Sequence, residues 1–429
     1  MLAGMSDVFD RVIDSTLSQK NAEVQELLAE GRLYDRVVTE VSPHGQGRKV
    51  KIDGRWVTDF ASCNYLGLDL REEVMDAIPP EVRKFGTHPS WARLAASPVL
   101  YEILEEKLAR LCGAEDALVL PTITLVAIGL IPAVTGKGSV IFADKLVHKV
   151  NHDGCRLARD MGAELVSFRH DDLDHLERRV AERESATTRL IVVDGVLSVT
   201  GRVPNLRRIA QIARDHDALL YIDDAHGFGV LGENPSDARP YGHRGNGVLR
   251  HLGIPNDNVL YVGGMSKAYS SLCAFVLCPK KLKPYLKCTV TSYIVSGPVP
   301  TAALATALAG LALNETEGDA WRDTLFSYTK AITEGYRKKG IKTDNDNGFP
   351  IVSGYVGSAE AVKRGGQLLY DEGIYVTLQG YPLVPRDKGV LRATPTVANS
   401  WAEVEQLTEA MGRVHEQLIA EKLLARPNV

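Results

Sequence analysis

Three segments in the middle of the chain share one design, an apolar run that ends in polar or charged residues. They are RLIVVDGVLSV (residues 189–199), ALLYIDDAHG (218–227) and NVLYVGGMSK (258–267). Between the first two lies 205–217, in which Leu206, Ile209, Ile212 and Ala213 fall on one face of a helix. Upstream, LEEKLARLCGA (104–114) reads as an amphipathic helix and ALVLP (117–121) as a short strand. Strands that are apolar throughout, rather than alternating, need cover on both faces, and helix-linked strands run parallel. The pattern predicts an α/β domain with a mostly parallel central sheet and helices on both faces. Ligands of such sheets sit at the carboxyl ends of the strands. DGVLS, DDAH and GGMSK all fall there.

The rhythm differs on either side. Residues 1–35 follow helix spacing through Val8, Val12, Ile13, Leu17, Val24, Leu27 and Leu28, and RKVKIDGRWVTDF reads as a hairpin around Asp53-Gly54. After about residue 305 come a helix, the strand-like FPIVSGYV, a further helix, YPLVPRDKGVLRATPT and an amphipathic C-terminal helix (401–424). The expected organisation is an N-terminal helix and hairpin (1–60), a large domain (61–305) and a smaller C-terminal α+β domain (306–429). Lys and Arg number 50 against 54 Asp and Glu with no basic block, which removes electrostatic support for a nucleic-acid partner. The first residues lack the layout of a secretion signal, and no apolar run approaches the roughly 20 residues a membrane helix needs. Six scattered cysteines without CxxC spacing fit reduced thiols in the cytoplasm and no metal site.

Chemistry gathers at the strand ends. A carboxylate in DDAHG, emerging among buried strands, costs free energy unless a positive partner meets it. A protonated pyridine nitrogen is such a partner, and an acid there makes the ring of pyridoxal phosphate (PLP) an electron sink. Asp223 or Asp224 can equally cap a helix or pair with a surface arginine. Lys267 ends the next strand, where desolvation favours a nucleophilic amine able to form a Schiff base. Glycines precede it, and Ser266 can donate to a phosphate. No GxGxxG opens a helix after a predicted strand, which disfavours a nicotinamide-binding domain.

Asp-Asp-Ala-His-Gly followed by a strand ending in Ser-Lys resembles the PLP-dependent α-oxoamine synthases of fold type I, and the similarity spans nearly the whole chain. CNYLGL (63–68) is similar to the family's N-D-Y-L-G-L. FADKLVHKV (142–150) resembles the segment whose histidine stacks on the cofactor ring, which implies that role for His148. DGVLSVTG (194–201) resembles E-G-V-F-S-M-D-G and places its serine at Ser198. RGNGVLRHLGI (244–254) is similar to the stretch before the lysine strand. YPLVP with Leu391-Arg392 resembles the motif whose arginine binds the substrate carboxylate.

The resemblance implies PLP bound through Lys267, with Asp223 on the ring nitrogen and His226 on the ring hydroxyl. It implies Thr122, Ile123, Thr124, Ser198 and Ser266 around the cofactor, and Ser296 reaching the phosphate of a neighbouring subunit in a homodimer with shared active sites. Arg392, Arg36 and Asn64 are the implied substrate contacts. The implied catalytic set is Lys267, His148 and Asp223. The implied reaction is a decarboxylative condensation of an amino acid with an acyl thioester, on coenzyme A or an acyl-carrier protein, giving an α-amino ketone in secondary metabolism. The alternative is a fold type I aminotransferase, or carbon–carbon bond formation without decarboxylation.

The chain departs from the family at several places. Thr122-Ile123-Thr124 replaces S-G-F/Y, and Gly264 replaces a threonine, leaving Thr122 or Thr124 to supply the hydroxyl. THPSWARLAAS (87–97) replaces G-S-G-G-S-R and keeps only Arg93. Cys63 stands for asparagine, and Asn399 stands where histidine often follows the arginine. These changes surround the substrates more than the ring.

Overall fold

The computed structural model describes Val8, Arg11 and residues 36–381 and 384–425. The helical reading of residues 1–35 lies almost wholly outside the described residues. The N-terminal hairpin forms β1 (Val38–Val41), β2 (Lys49–Ile52) and β3 (Arg55–Phe60). The turn at Asp53 and Gly54 takes positive φ at both residues (51° and 77°), as a two-residue hairpin loop requires.

The large sheet contains β4 (Asp116–Leu120), β5 (Val140–Asp144), β6 (Glu164–Phe168), β7 (Arg189–Asp194), β8 (Leu219–Asp224), β9 (Val259–Gly264) and β10 (Ala274–Cys278), in the order β4-β10-β9-β8-β7-β5-β6. Neighbours pair in parallel from β9 through to β6, and only β10 is antiparallel, to both β4 and β9. The segment 189–199 is a strand only as far as Asp194. There Gly195 donates its N–H to the carbonyl of Asp223, and the chain leaves the sheet toward the rim.

Helices cover both faces. On one face, α1 (Leu100–Cys112), α4 (Leu206–Asp215) and α5 (Thr301–Thr316) pack on Val119, Phe142, Ile191, Val193, Leu220, Ile222 and Tyr261. On the other, α2 (Ile123–Ala133) and α3 (Lys149–Asp160) pack on Leu118, Leu120, Ile141, Ala143, Leu190, Val192 and Tyr221. Successive strand residues alternate between these cores, as the two-residue period demands, and each fully buried Leu or Ile contributes about 1.5–3 kcal/mol.

A second sheet, in the order β1-β2-β3-β12-β13-β11, joins the hairpin to the C-terminal strands β11 (Val352–Gly357), β12 (Ile374–Gln379) and β13 (Gly389–Ala393). β3 lies parallel to β12, so the hairpin and the C-terminal region form one layer. The helices α6 (Gly318–Lys338), α7 (Ala359–Asp371) and α8 (Trp401–Ala420) supply Ile332, Tyr336, Leu369, Leu407 and Met411 to its core. The cap of α8 is a reciprocal Ser400–Glu403 pair.

Alternation also separates the two aspartates of DDAHG. Asp223 falls on the face of α2 and α3, and Asp224 on the opposite face. Asp224 is fully buried and accepts from the Tyr261 hydroxyl (2.7 Å) and the Val248 N–H (2.8 Å), which anchors the 244–248 loop. Burial raises its pKa to about 7. An unfolded aspartate titrates near 4, so between about pH 4 and 7 the folded state holds the extra proton, and stability falls as pH rises through that window. Asp224→Asn removes the slope, at most about 1.4 kcal/mol per pH unit. The melting temperature of the variant relative to the parent is expected to climb from pH 5 to pH 8; parallel curves would refute this.

Candidate active site

The polar strand ends enclose a cavity of about 200 Å³ lined by Thr122, Ile123, Thr124, His148, Val150, Asp194, Val196, Ser198, Asp223, Ala225, His226, Ser266 and Lys267. β8 delivers Asp223 and the turn after it His226, while β9 leads into Ser266 and Lys267. The Lys267 amine makes no hydrogen bond or ion pair among the described residues. Asp223 is nearly inaccessible and its two oxygens accept from the Ala225 N–H (3.0 Å) and the Asn151 amide (2.8 Å). Both donors are neutral, so neither supplies the counter-charge that a cation in the cavity would.

Opposite in register stands Asp194. It accepts from the His148 backbone N–H (3.0 Å) and from Asn151 (3.2 Å). Burial, then the charge of Asp223, pushes its carboxyl well up, which favours a neutral acid beside the charged one.

His148 caps α3 with its ring open to the cavity, and its partial burial lowers its pKa. His226 is buried, and desolvation, followed by the positive charges of Lys267 and Arg392, holds its pKa well below the ordinary value. Its Nδ1 lies 2.7 Å from the hydroxyl of Tyr65, whose own pKa burial drives far up. With Tyr65 donating to Nδ1, the neutral ring carries its proton on Nε2.

At the other end, Thr122 caps α2 by accepting from the Leu125 N–H (3.1 Å), and the N–H groups of Ile123 and Thr124 find no acceptor among the described residues. A helix start with two free amides and two flanking hydroxyls is an anion site. A Cβ on Gly264 would lie 3.2 Å from the Ile123 side chain and 3.3 Å from the Ala225 Cα, so a larger residue at 264 is crowded beside Ile123.

Arg392, on β13, does not itself line the cavity but binds Ser198, which does. The arginine is 8 % exposed and donates to the Ser198 carbonyl (2.7 Å), with Thr377 Oγ1 at 3.5 Å and Cys63 Sγ at 3.9 Å. Its Nε is buried without a partner, and no carboxylate pairs with it among the described residues. An unpaired buried guanidinium fits a substrate carboxylate.

Other expected contacts lie elsewhere. Arg36 stacks over the Tyr370 ring (3.7 Å), pairs with Asp53 (3.3 Å) in the second sheet and does not line the cavity. Asn64 likewise donates to Asp69 (2.8 Å), which also holds Arg48, and does not line the cavity. Ser296 sits outside this chain's cavity, its hydroxyl bonded to the next residue's carbonyl. Arg93 staples its loop by binding the Val119 carbonyl (2.6 Å) and Glu105 (3.2 Å) while stacking on Tyr101. Sequence reasoning missed Tyr65, Asn151 and Asp194. The available signals were a second strand-end acid and an asparagine one helical turn after His148.

Residues 55–411 match the family described as Aminotransferase class I and II. The chain is 34% identical to 8-amino-7-oxononanoate synthase of Geobacter sulfurreducens, over 92% of this chain and 97% of the relative. The Geobacter metallireducens enzyme of that name is 32% identical, over 93% and 98%. The chain belongs to the α-oxoamine synthase family. In the fold, this α-oxoamine synthase is similar to serine palmitoyltransferase of Sphingomonas wittichii, with a TM-score of 0.86 at 23% identity, covering 95% of this chain and 98% of that one. A structure of SPT with PLP gives 0.85 at 22% identity, covering 95% and 98%. The fold is thus the fold type I architecture that the resemblance implied, and its large sheet is the mostly parallel one expected from the strand pattern. Among the described residues of this family member, no helix is long and apolar enough to cross a membrane, and no cluster of metal-ligating side chains occurs.

Proposed function

We propose that this chain is a PLP-dependent acyltransferase that joins an amino acid to an acyl thioester, releasing the thiol and carbon dioxide and giving an α-amino ketone. The observation that carries the reading is one cavity holding an unpartnered primary amine, Lys267, and a buried carboxylate without a cation, Asp223. The residues fit PLP: free helix-start amides and Thr124 for the phosphate, Asp223 for the ring nitrogen, His226 Nε2–H for the ring hydroxyl, Lys267 for the aldehyde, and His148 for the ring face.

When bound, PLP supplies an electron-poor ring that stabilises negative charge on the substrate α-carbon. Lys267 Nζ takes the proton from that carbon and returns one after condensation. Asp223 holds the ring nitrogen charged. Arg392, which pairs with no carboxylate among the described residues, orients the amino-acid carboxylate. His148, kept neutral, polarises the thioester carbonyl.

A second copy of the chain would place Ser296 at the partner's phosphate position, and the exposed apolar Val295 beside it is surface such a contact would cover. The changes in the 87–97 loop and at Cys63 favour a substrate pair of secondary metabolism. The acyl donor is coenzyme A or a carrier protein.

The test is incubation of the PLP-loaded protein with a panel of amino acids and short and long acyl thioesters, followed by mass spectrometry. Free thiol, carbon dioxide and amino ketone in equal amounts are expected. Pyridoxamine phosphate accumulating without thiol release would overturn the reading in favour of transamination.

A further inference from the structure

We propose that Asn151 is a positioning residue for Asp223, its side-chain amide held one way round by Tyr221. The inference rests on the proposed function and deepens it. Asn151 is wholly buried behind the cavity wall, on α3, and does not line the cavity itself. Its Nδ2 donates to Asp223 Oδ2 (2.8 Å) and Asp194 Oδ1 (3.2 Å), while its Oδ1 accepts from the Tyr221 hydroxyl (3.2 Å). Reversing the amide would set its oxygen against two carboxyl groups and break both bonds.

The arrangement orients a carboxylate without neutralising it. Asp223 has a donor on each oxygen, the Ala225 backbone on one and Asn151 on the other. An arginine or lysine behind it would compete with a cationic ring for the same charge. A neutral amide leaves the charge available and fixes the plane in which it is presented. Tyr221 suits its task because burial keeps its hydroxyl protonated and therefore a donor. His148 and Asn151 lie one turn apart on α3, so the helix that presents the ring-facing imidazole also carries the amide that braces the ring's acid.

The alternative is a plug that merely fills space, and cofactor titration of the apoprotein separates the two. Asn151→Ala and Asn151→Leu, which keeps the branching of the side chain, are both expected to raise the Kd for PLP by about tenfold or more, with Tyr221→Phe shifting it the same way by a smaller factor. In an Asp223→Ala background, Asn151→Ala is expected to change Kd by less than about twofold, because the two residues act as one unit. Parent-like PLP affinity in Asn151→Leu, or a full loss that persists without Asp223, would overturn the proposal. Should Asn151→Ala fail to fold, as read from its melting curve, Tyr221→Phe with and without Asp223→Ala decides by the same criterion. A parent protein that takes up no PLP overturns the functional reading itself, before any variant is compared.

Discussion

Lys267→Ala is expected to lower turnover by about a thousandfold or more and to abolish borohydride fixation of a pyridoxyl group. The size follows from the make-up of the cavity. Lys267 is the only lysine among its lining residues, so no second amine stands ready to bind the aldehyde or to move the α-proton. His148 and His226 are both held below the ordinary histidine pKa, and neither offers the primary amine that a Schiff base needs. The fold loses little, since the amine makes no hydrogen bond or ion pair among the described residues. Stability is expected to stay within about 0.5 kcal/mol of the parent. Peptide mapping after borohydride reduction, together with kcat, checks the result. Parent-like turnover, or a label on another lysine, would remove Lys267 from the centre of the site.

The strand ends were legible because polar residues closing an apolar run have few places to go. Asp223 and Lys267 stood out on that ground, and the parallel β5-to-β9 core follows from the helix-linked spacing. Pairing direction is not written in periodicity, so AFVLC gives no sign that β10 runs antiparallel between β4 and β9. The bond from hairpin strand β3 to β12 was hidden for a related reason, since more than 300 residues separate the partners and local spacing carries no such information. Strand 189–199 read too long because Val196, Leu197 and Val199 are apolar, yet the ladder ends at Asp194 and Val196 walls the site instead. Arg36 and Asn64 are a different case. Each is chemically suited to a substrate, but Asp53 and Asp69 already hold them. Asn151 acquires its meaning only when Tyr221 and Asp223 stand on the adjacent strand, a juxtaposition no linear motif displays.

Asp223→Asn tests whether charge, rather than shape, is what the cavity requires. The substitution is isosteric and leaves Lys267 untouched, so borohydride should still fix a pyridoxyl group at residue 267. Turnover is nevertheless expected to fall by about a hundred- to a thousandfold, the usual loss when one preorganised electrostatic group is removed from a dry site. Two features place the effect toward the upper end. An amide at 223 must set its NH2 against either the Ala225 N–H or the Asn151 amide, because both oxygens of the native carboxylate accept. The nearby acid cannot take over the role, since Asp194 is pushed toward its neutral form and is tied to the His148 backbone. Asp224→Asn is the matched control. It changes the adjacent residue by the same atoms, but on the far face of β8, where the side chain braces Val248 and Tyr261 instead of the cavity. Steady-state kinetics on the two variants should therefore diverge: a collapse in kcat for residue 223, and for residue 224 a change confined to the pH dependence of melting. Equal losses in both would mean that β8 merely needs its acids for folding, and the assignment of Asp223 to the ring nitrogen would fall.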